Sequence, residues 1–254
     1  MKNTMSKLSA FFKFLTPTEW IIWGLSTAAT IACFFAFGNT QYHYLAGALI
    51  GFAALVLVSK GNPVGQGLVI VFAVFYGIIS YSFGYYGEMI TYIGMSAPIA
   101  VAALVSWLRH PFDGKKSEVK VNTLSGKEWG IFAALSVAVT VAFYFILRVL
   151  GTSNLEVSTA SVLTSFAAAY LTARRSRFYA VGYAVNDVVL IALWAMASAD
   201  EIMYLPMVVC FVAFLALDLY GFVNWSRMYK KQRSIEQAKG GEACGAPAPD
   251  GDGM

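Results

Sequence analysis

The chain alternates between long apolar stretches and short polar or charged links. A membrane-spanning helix needs about 20 mostly apolar residues, and eight stretches approach that length. We predict spans at residues 20–37, 43–58, 67–83, 89–108, 129–150, 157–172, 178–197 and 203–225. Backbone polar groups cannot remain unpaired in lipid, so all eight stretches are predicted to be helices.

A weak internal repeat runs through these spans. The motif FAA at Phe52 recurs at Phe166, and the same separation relates Lys60 to Arg174. Spans two to four therefore resemble spans six to eight. Because one span separates the two triplets, both begin on the same side of the membrane, so the repeats are parallel.

The segments around the spans indicate the domain boundaries. We expect an N-terminal segment with the first span at 1–38, a first bundle at 43–108, and a second bundle at 157–225. Between the bundles, residues 109–150 form a polar link and a further helix. Residues 233–254 lose all periodicity and become rich in Gly, Ala and Pro, so we expect a disordered tail there. Ser125 and Glu128 fit a capping box at the start of the middle helix.

Composition and charge placement agree with this organisation. Only 13% of residues are charged and 58% are hydrophobic, whereas soluble domains carry about 25% charged residues. Lys and Arg precede span one and follow spans two, four, six and eight, and only Arg148 lies towards the other side. The alternate links carry acids instead, namely Glu88, Glu156, Asp200 and Glu201. By the positive-inside rule, both termini are cytoplasmic, which indicates a multi-pass protein of the plasma membrane.

Two acids, Asp187 and Asp218, fall deep inside predicted spans. A charge at the bilayer centre costs at least about 2.5–3.5 kcal/mol, so an intramembrane acid indicates a functional site. The alternative is a buried polar pair that only ties helices together. On span seven, Tyr183 and Trp194 share the helical face of Asp187, and Asn186 lies beside it.

A carboxylate beside aromatic rings suits a flat or cationic organic solute, because ring faces attract cations. Trp107 and Trp225 lie near span ends, where they either contact solute or belong to the interfacial aromatic belt. Tyr220 and Asn224 lie on a stripe of span eight different from that of Asp218. The candidate solute-binding residues are Tyr81, Tyr183, Asn186, Asp187, Trp194, Asp218, Tyr220 and Asn224.

Signatures of enzymes and cofactor proteins are missing from the sequence. There is no GxSxG, HExxH or GxxxxGK[ST] motif, and the spans contain no lysine that could hold retinal. Cys33, Cys210 and Cys244 have neither disulfide nor metal spacing. We therefore expect no enzyme activity, cofactor, metal or nucleic-acid partner. The other class left open is an intramembrane enzyme, with the two aspartates as a protease dyad, or a structural membrane protein.

Four segments resemble the PnuC-type vitamin transporters. They are LVSKG at 57–61, YSFGYYGE at 81–88, FYAVGYAVNDVVLIALW at 178–194 and YLPMVVCFVAFLALDLYGFVNW at 204–225. The resemblance extends from about residue 43 to residue 232 and is strongest in the last two spans. The best-known members carry nicotinamide riboside, and relatives are assigned to thiamine or other vitamins and nucleosides.

The resemblance implies an all-α polytopic membrane protein with a SWEET-like fold. Its eight transmembrane helices would be an N-terminal helix plus two parallel three-helix bundles joined by a linker helix (1+3+1+3), assembled as a homotrimer. The implied activity is facilitated diffusion of a cationic aromatic vitamin, with nicotinamide riboside first and thiamine or another nucleoside as the alternative. A cytoplasmic kinase would trap the solute by phosphorylation.

The chain departs from the family pattern in its first bundle. Members have an amide residue where this chain has Phe72, and a glutamine where it has Ala100. The repeat-mates of these two positions are Asn186 and Asp218. We therefore expect a lopsided site, with the polar groups concentrated in the second bundle.

Overall fold

The computed structural model describes residues 15–38, 42–82, 86–152 and 154–244. Helix α4 is made of three consecutive stretches, Tyr86–Met89, the π-helical Ile90–Ser96, and Ala97–Arg109. A two-stranded antiparallel hairpin follows it, with β1 at Pro111–Phe112 and β2 at Lys115–Val119. The other helices are α1 (Pro17–Ala36), α2 (Tyr42–Ser59), α3 (Pro63–Ser82), α5 (Gly126–Val149), α6 (Leu155–Ala173), α7 (Tyr179–Asp200) and α8 (Leu205–Cys244).

Each of the eight predicted spans overlaps one of these helices. Within the described residues, six segments are long and apolar enough to cross a membrane: Pro17–Ala36, Tyr42–Ser59, Ile90–Arg109, Gly126–Val149, Tyr179–Asp200 and Ile202–Lys239. The remaining two expected spans fall on α3, which is apolar over Pro63–Ile78, and on α6. Helix α6 is less apolar because it carries Glu156 and several Ser and Thr residues.

From their order along the chain, we call α2–α4 the first helix group and α6–α8 the second. Helix α3 contacts both α2 and α4, and α7 contacts both α6 and α8. The two groups meet where α8 packs on α2 and where α4 packs on α6. Helix α1 packs on α2 and α8, and α5 packs on α6. Gly51 permits the approach of α8 to α2, since a Cβ atom there would lie 2.7 Å from the Phe214 ring.

Capping boxes begin helices α1 and α5. The predicted box of Ser125 and Glu128 at the start of α5 is confirmed, with each side chain bonded to the other residue's backbone N–H. Thr16 and Glu19 form the same arrangement at the start of α1. A capping box satisfies two backbone donors that the first helical turn leaves free.

The hairpin defines what we call the link end of the molecule. Val119 donates its N–H to Gly61 O just after α2, and Asn122 donates to Arg175 O just after α6. Gln232 of α8 bonds to the backbone of Val119 and Val121. The ends of α2, α4 and α6 and the middle of α8 therefore gather at the link end. We call the opposite side the loop end.

The disordered tail expected from residue 233 is wrong as far as Cys244, because α8 continues to that residue. Gln232 is buried against the hairpin. Beyond it, Glu236 pairs with Lys120 and Lys239 pairs with Asp113, each at 2.6 Å. These exposed pairs contribute little free energy individually, but they hold the helical extension along the hairpin. Residues 245–254 lie outside the described residues.

Candidate functional site

A cavity of about 650 Å³ lies between the two helix groups. At the loop end it is lined by residues such as Gly87, Thr152 and Asp200. It extends inward to Val58 of α2, Ala103 of α4 and Thr172 of α6. These three residues are close to the last turns of their helices, so the cavity penetrates most of the depth of the helical body.

The deep polar wall of the cavity comes from α7 and α8. Asp187 and Asp218 both line it, and their side chains are buried with 4% and 3% exposure. Asp187 of α7 and Asp218 of α8 are close enough to interact electrostatically. The Oδ2 atom of Asp187 is buried and has no hydrogen-bond partner within the described part of the chain. A buried polar atom without a partner costs free energy, so this oxygen is a candidate contact for a ligand.

Asn186 extends the polar wall towards α6. Its Oδ1 atom lies 2.8 Å from the hydroxyl of Thr164 and 2.9 Å from that of Ser165. One edge of the amide is thus fixed by two neighbouring residues of α6. Asn186 also lines the cavity, so the other edge of the amide is available to a solute.

The facing wall belongs to α3 and α4 and carries a cluster of aromatic rings. The rings of Phe72 and Tyr76 are stacked with centroids 5.7 Å apart, and those of Tyr76 and Tyr92 are 4.6 Å apart. Phe72 and Ala100 both line the cavity. Gln66, which is buried, Thr91 and Ser96 are polar residues on this wall. Tyr76 lies one helical turn after Phe72, and that spacing was the available sequence signal for it.

The cavity lining contains several acidic side chains. Asp187 and Asp218 lie deep in the cavity, and Asp200 and Glu201 lie at its loop end. Among the described residues that line the cavity there is no Lys or Arg. When these acids are ionised, the cavity attracts cations and repels anions, because a cavity lined by one sign of charge focuses its field.

Five of the eight candidate residues come together in this cavity. The structure places Tyr183, Asn186, Asp187, Trp194 and Asp218 on its lining. All lie on α7 except Asp218, which faces them from α8. Contact between α7 and α8 thus unites residues that are far apart in sequence.

The structure places the other three candidates outside the cavity lining. The Tyr220 hydroxyl donates to Glu19 Oε1 at 2.9 Å, and Asn224 Nδ2 donates to Ser59 O at 2.7 Å. Both contacts join α8 to other helices. Tyr81 is 61% exposed and its ring lies against Tyr86.

Trp107 and Trp225 are not interfacial anchors, and that alternative is wrong for both. Each indole is completely buried, and their ring centroids are 5.3 Å apart. An interfacial tryptophan keeps its polar edge near the headgroups. Here each indole N–H has a backbone carbonyl partner inside the protein instead.

Several apolar helices around a deep cavity with polar residues at membrane depth define the class of membrane solute transporters. The family model described as "Nicotinamide mononucleotide transporter" matches residues 41–227, which is most of the chain. The chain belongs to this family. It is therefore a multi-pass membrane transporter and not an enzyme.

Individual relatives agree with the family assignment. The chain is 26% identical over 214 residues to the nicotinamide riboside transporter PnuC of Neisseria mucosa, covering 83% of this chain and 81% of the relative. It is 26% identical over 205 residues to the protein of the same name from Haemophilus influenzae, covering 79% and 87%. The fold matches the crystal structure of the vitamin B3 transporter PnuC with a TM-score of 0.72, at 24% identity, over 86% of this chain and 94% of that one.

Proposed function

We propose that this protein carries nicotinamide riboside across the plasma membrane into the cell. The observation that carries the proposal is the buried, unpartnered Oδ2 of Asp187 on a cavity whose described lining has acids but no Lys or Arg. Nicotinamide riboside is a permanent cation, and a cation is the partner that this wall lacks. The names of the relatives point to the same solute.

The two walls of the cavity complement the two faces of such a solute. The positively charged pyridinium ring packs against the aromatic wall of Phe72, Tyr76 and Tyr92, where ring faces attract a cation. Asp187 compensates the positive charge from the opposite wall. The free edge of the Asn186 amide would then hydrogen-bond to the carboxamide or to a ribose hydroxyl.

The same charges favour the riboside over the mononucleotide named in the family description. A mononucleotide carries an additional phosphate, and proteins bind phosphates mainly through Lys, Arg and helix N-termini. Here the phosphate would face Asp187, Asp218 or the loop-end acids. We therefore propose that the mononucleotide is excluded by repulsion. Thiamine, which is also an aromatic cation, remains the competing solute to be tested.

We further propose that the α2–α4 and α6–α8 groups are the two parallel three-helix bundles, with α1 as an added N-terminal helix and α5 as the linker helix. The positive-inside pattern supports placing the link end and both termini in the cytoplasm. The loop end, with Asp200 and Glu201, then faces outward. A homotrimer is the assembly that the family resemblance supports, and size measurement of the protein in nanodiscs tests it.

Transport is proposed to be facilitated diffusion. The sequence has no nucleotide-binding motif that would couple it to ATP. Accumulation of the solute then requires a cytoplasmic kinase that phosphorylates the riboside, because the phosphorylated product no longer fits a cavity lined by acids. The two helix groups would rock around the central site to give alternating access.

Binding by the purified protein in nanodiscs tests the solute directly. We expect saturable binding of nicotinamide riboside, with competition by thiamine measured in parallel and no competition by nicotinamide mononucleotide. In liposomes without an internal kinase, at clamped membrane potential, the riboside should equilibrate but not accumulate. Preference for the mononucleotide would overturn the substrate assignment, and uphill accumulation driven by a proton or sodium gradient would overturn facilitated diffusion.

A further inference from the structure

Trp107 and Trp225 make reciprocal hydrogen bonds between the two helix groups. Trp107 of α4 donates its Nε1–H to Thr172 O of α6 at 2.9 Å. Trp225 of α8 donates its Nε1–H to Val58 O of α2, also at 2.9 Å. Val58 and Thr172 are separated in sequence as Lys60 and Arg174 are, so the two bonds are equivalent under the internal repeat.

This tryptophan pair closes the deep end of the cavity. Val58 and Thr172, whose carbonyls accept the two bonds, are among the deepest residues of the lining, whereas neither tryptophan lines it. Trp107 lies one helical turn beyond Ala103, the lining residue of α4. On the far side, Val119 and Val121 of the link pack in the same buried cluster as the two indoles. The pair thus lies between the cavity and the link end.

We propose that Trp107 and Trp225 form the inner gate of the transport path. Each tryptophan belongs to one helix group and is bonded to the helix end of the other group. Separation of the two groups at the link end therefore has to break both bonds and part the two rings. This inference rests on the proposed function only in that a solute path runs through the cavity; it does not depend on which solute is carried.

The backbone of the link reinforces the closed arrangement from outside. Val119 N–H bonds to Gly61 O at 3.0 Å, and Asn122 N–H bonds to Arg175 O at 2.9 Å. Gly61 and Arg175 are themselves equivalent in the repeat, and both have positive φ, at 67° and 58°. The link thus connects the loops that follow Val58 and Thr172, whose carbonyls accept the two tryptophan hydrogen bonds. Opening of the gate must also release at least one of these two bonds.

Cysteine accessibility tests the gate without any solute. Cys33, Cys210 and Cys244 are first replaced by serine or alanine, and Ala103→Cys then reports on the deep end of the cavity. A membrane-impermeant thiol reagent is applied from the cytoplasmic side. We expect Trp107→Phe and Trp225→Phe each to raise the labelling rate by on the order of tenfold, the equilibrium shift that follows from losing one buried hydrogen bond.

Trp129→Phe is the matched control, because Trp129 is partly exposed on α5 and does not line the cavity. It should leave the labelling rate unchanged. Labelling of both gate variants within twofold of the parent, with unchanged thermal unfolding, would overturn the gate. If the riboside binds and is transported while the two substitutions do not change the labelling rate, the gate proposal is wrong and the proposed function stands. If labelling responds while the riboside does not bind, only the substrate assignment fails.

A second measurement leaves both gate hydrogen bonds intact, in case the phenylalanine variants do not fold. Fluorotryptophan is placed site-specifically at position 107 or, as control, at position 129. We expect added nicotinamide riboside to split or broaden the fluorine resonance at position 107 and to leave that at position 129 unchanged. A single unshifted resonance at position 107 at saturating riboside, in protein shown to transport it, would contradict the gate.

Discussion

Lys60 Nζ lies 2.6 Å from Glu19 Oε2, and Glu19 is only 2% exposed. The same carboxylate accepts hydrogen bonds from the Thr16 N–H at 2.7 Å and from the Tyr220 hydroxyl at 2.9 Å. One buried acid near the start of α1 therefore joins that helix to the end of α2 and to α8. This network explains why Tyr220 faces away from the cavity.

Glu19→Gln should destabilise the protein by on the order of 1–3 kcal/mol, because it removes a charge-assisted hydrogen bond in a mostly buried setting. Thermal unfolding in detergent measures the loss as a lower midpoint. Tyr220→Phe is the graded control: it removes one bond of the network and should cost about 1 kcal/mol. Equal midpoints for wild type and Glu19→Gln would show that the network does not hold α1 in place.

Asp187→Asn should weaken the binding of nicotinamide riboside by on the order of 1–3 kcal/mol, which is roughly 5- to 150-fold in Kd. The change removes the negative charge while nearly keeping the shape of the side chain. Titration calorimetry in nanodiscs measures the affinity, and thermal unfolding checks the fold. Normal affinity together with lower stability would identify Asp187 as a structural tie between α7 and α8.

Asn224→Ala is the companion variant for the Asp187 experiment. Its Nδ2 donates to Ser59 O outside the cavity, so its removal should lower the unfolding midpoint by an amount equivalent to about 1 kcal/mol. The affinity for nicotinamide riboside should stay within twofold of wild type. A large loss of affinity in Asn224→Ala, at unchanged stability, would show that Asn224 takes part in solute binding.

Gln232→Leu should loosen the hairpin and the end of α8. Gln232 accepts from the Val121 N–H at 2.9 Å and donates to Val119 O at 3.0 Å, and it is buried. Leucine leaves both backbone groups unpaired, at a cost of about 1–3 kcal/mol each. Hydrogen exchange should accelerate in residues 111–122 and 233–244. Gln237→Leu, at an exposed position of the same helix, should leave those rates unchanged.

Single cysteines test the orientation in the membrane. In a cysteine-free background, Ser117→Cys and Ser234→Cys lie at the exposed link end and should react with impermeant reagents only from the cytoplasmic side. Ala199→Cys, exposed at the end of α7, should react only from outside. Labelling of positions 117 and 199 from the same face would contradict the proposed topology.

The sequence predicted the helices well because their cause is local. Lipid requires long apolar runs to be helical, and such runs are visible in the sequence without knowledge of the fold. The start of α5 was predictable for the same reason, since Ser125 and Glu128 satisfy each other's backbone donors within one turn. The C-terminal extent of α8 was not predictable, because residues 233–244 are held by contacts with the distant hairpin.

The solute-facing residues were only partly predictable. Helical periodicity placed Tyr183, Asp187 and Trp194 on one face, and the cavity lies on that face. Periodicity gave no means of knowing that Tyr76 and Tyr92 would pack together across α3 and α4, since those rings come from different helices. For Tyr220 and Asn224, a polar side chain inside a span indicated a partner but did not identify it.

By itself, the sequence determined that this chain crosses a membrane several times, and it predicted two acids at membrane depth and a repeated triplet of spans. Those properties depend only on hydropathy and on the spacing of residues along the chain, and the energetic cost of inserting each segment into lipid follows from them. Only the tertiary structure decided which faces of the helices meet. Trp107 and Trp225 were candidate interfacial anchors by their sequence positions. In the structure they form a buried reciprocal pair, because each indole N–H donates to a backbone carbonyl on a helix of the other group. Hydropathy does not predict such pairing, because every apolar helix face is compatible with lipid.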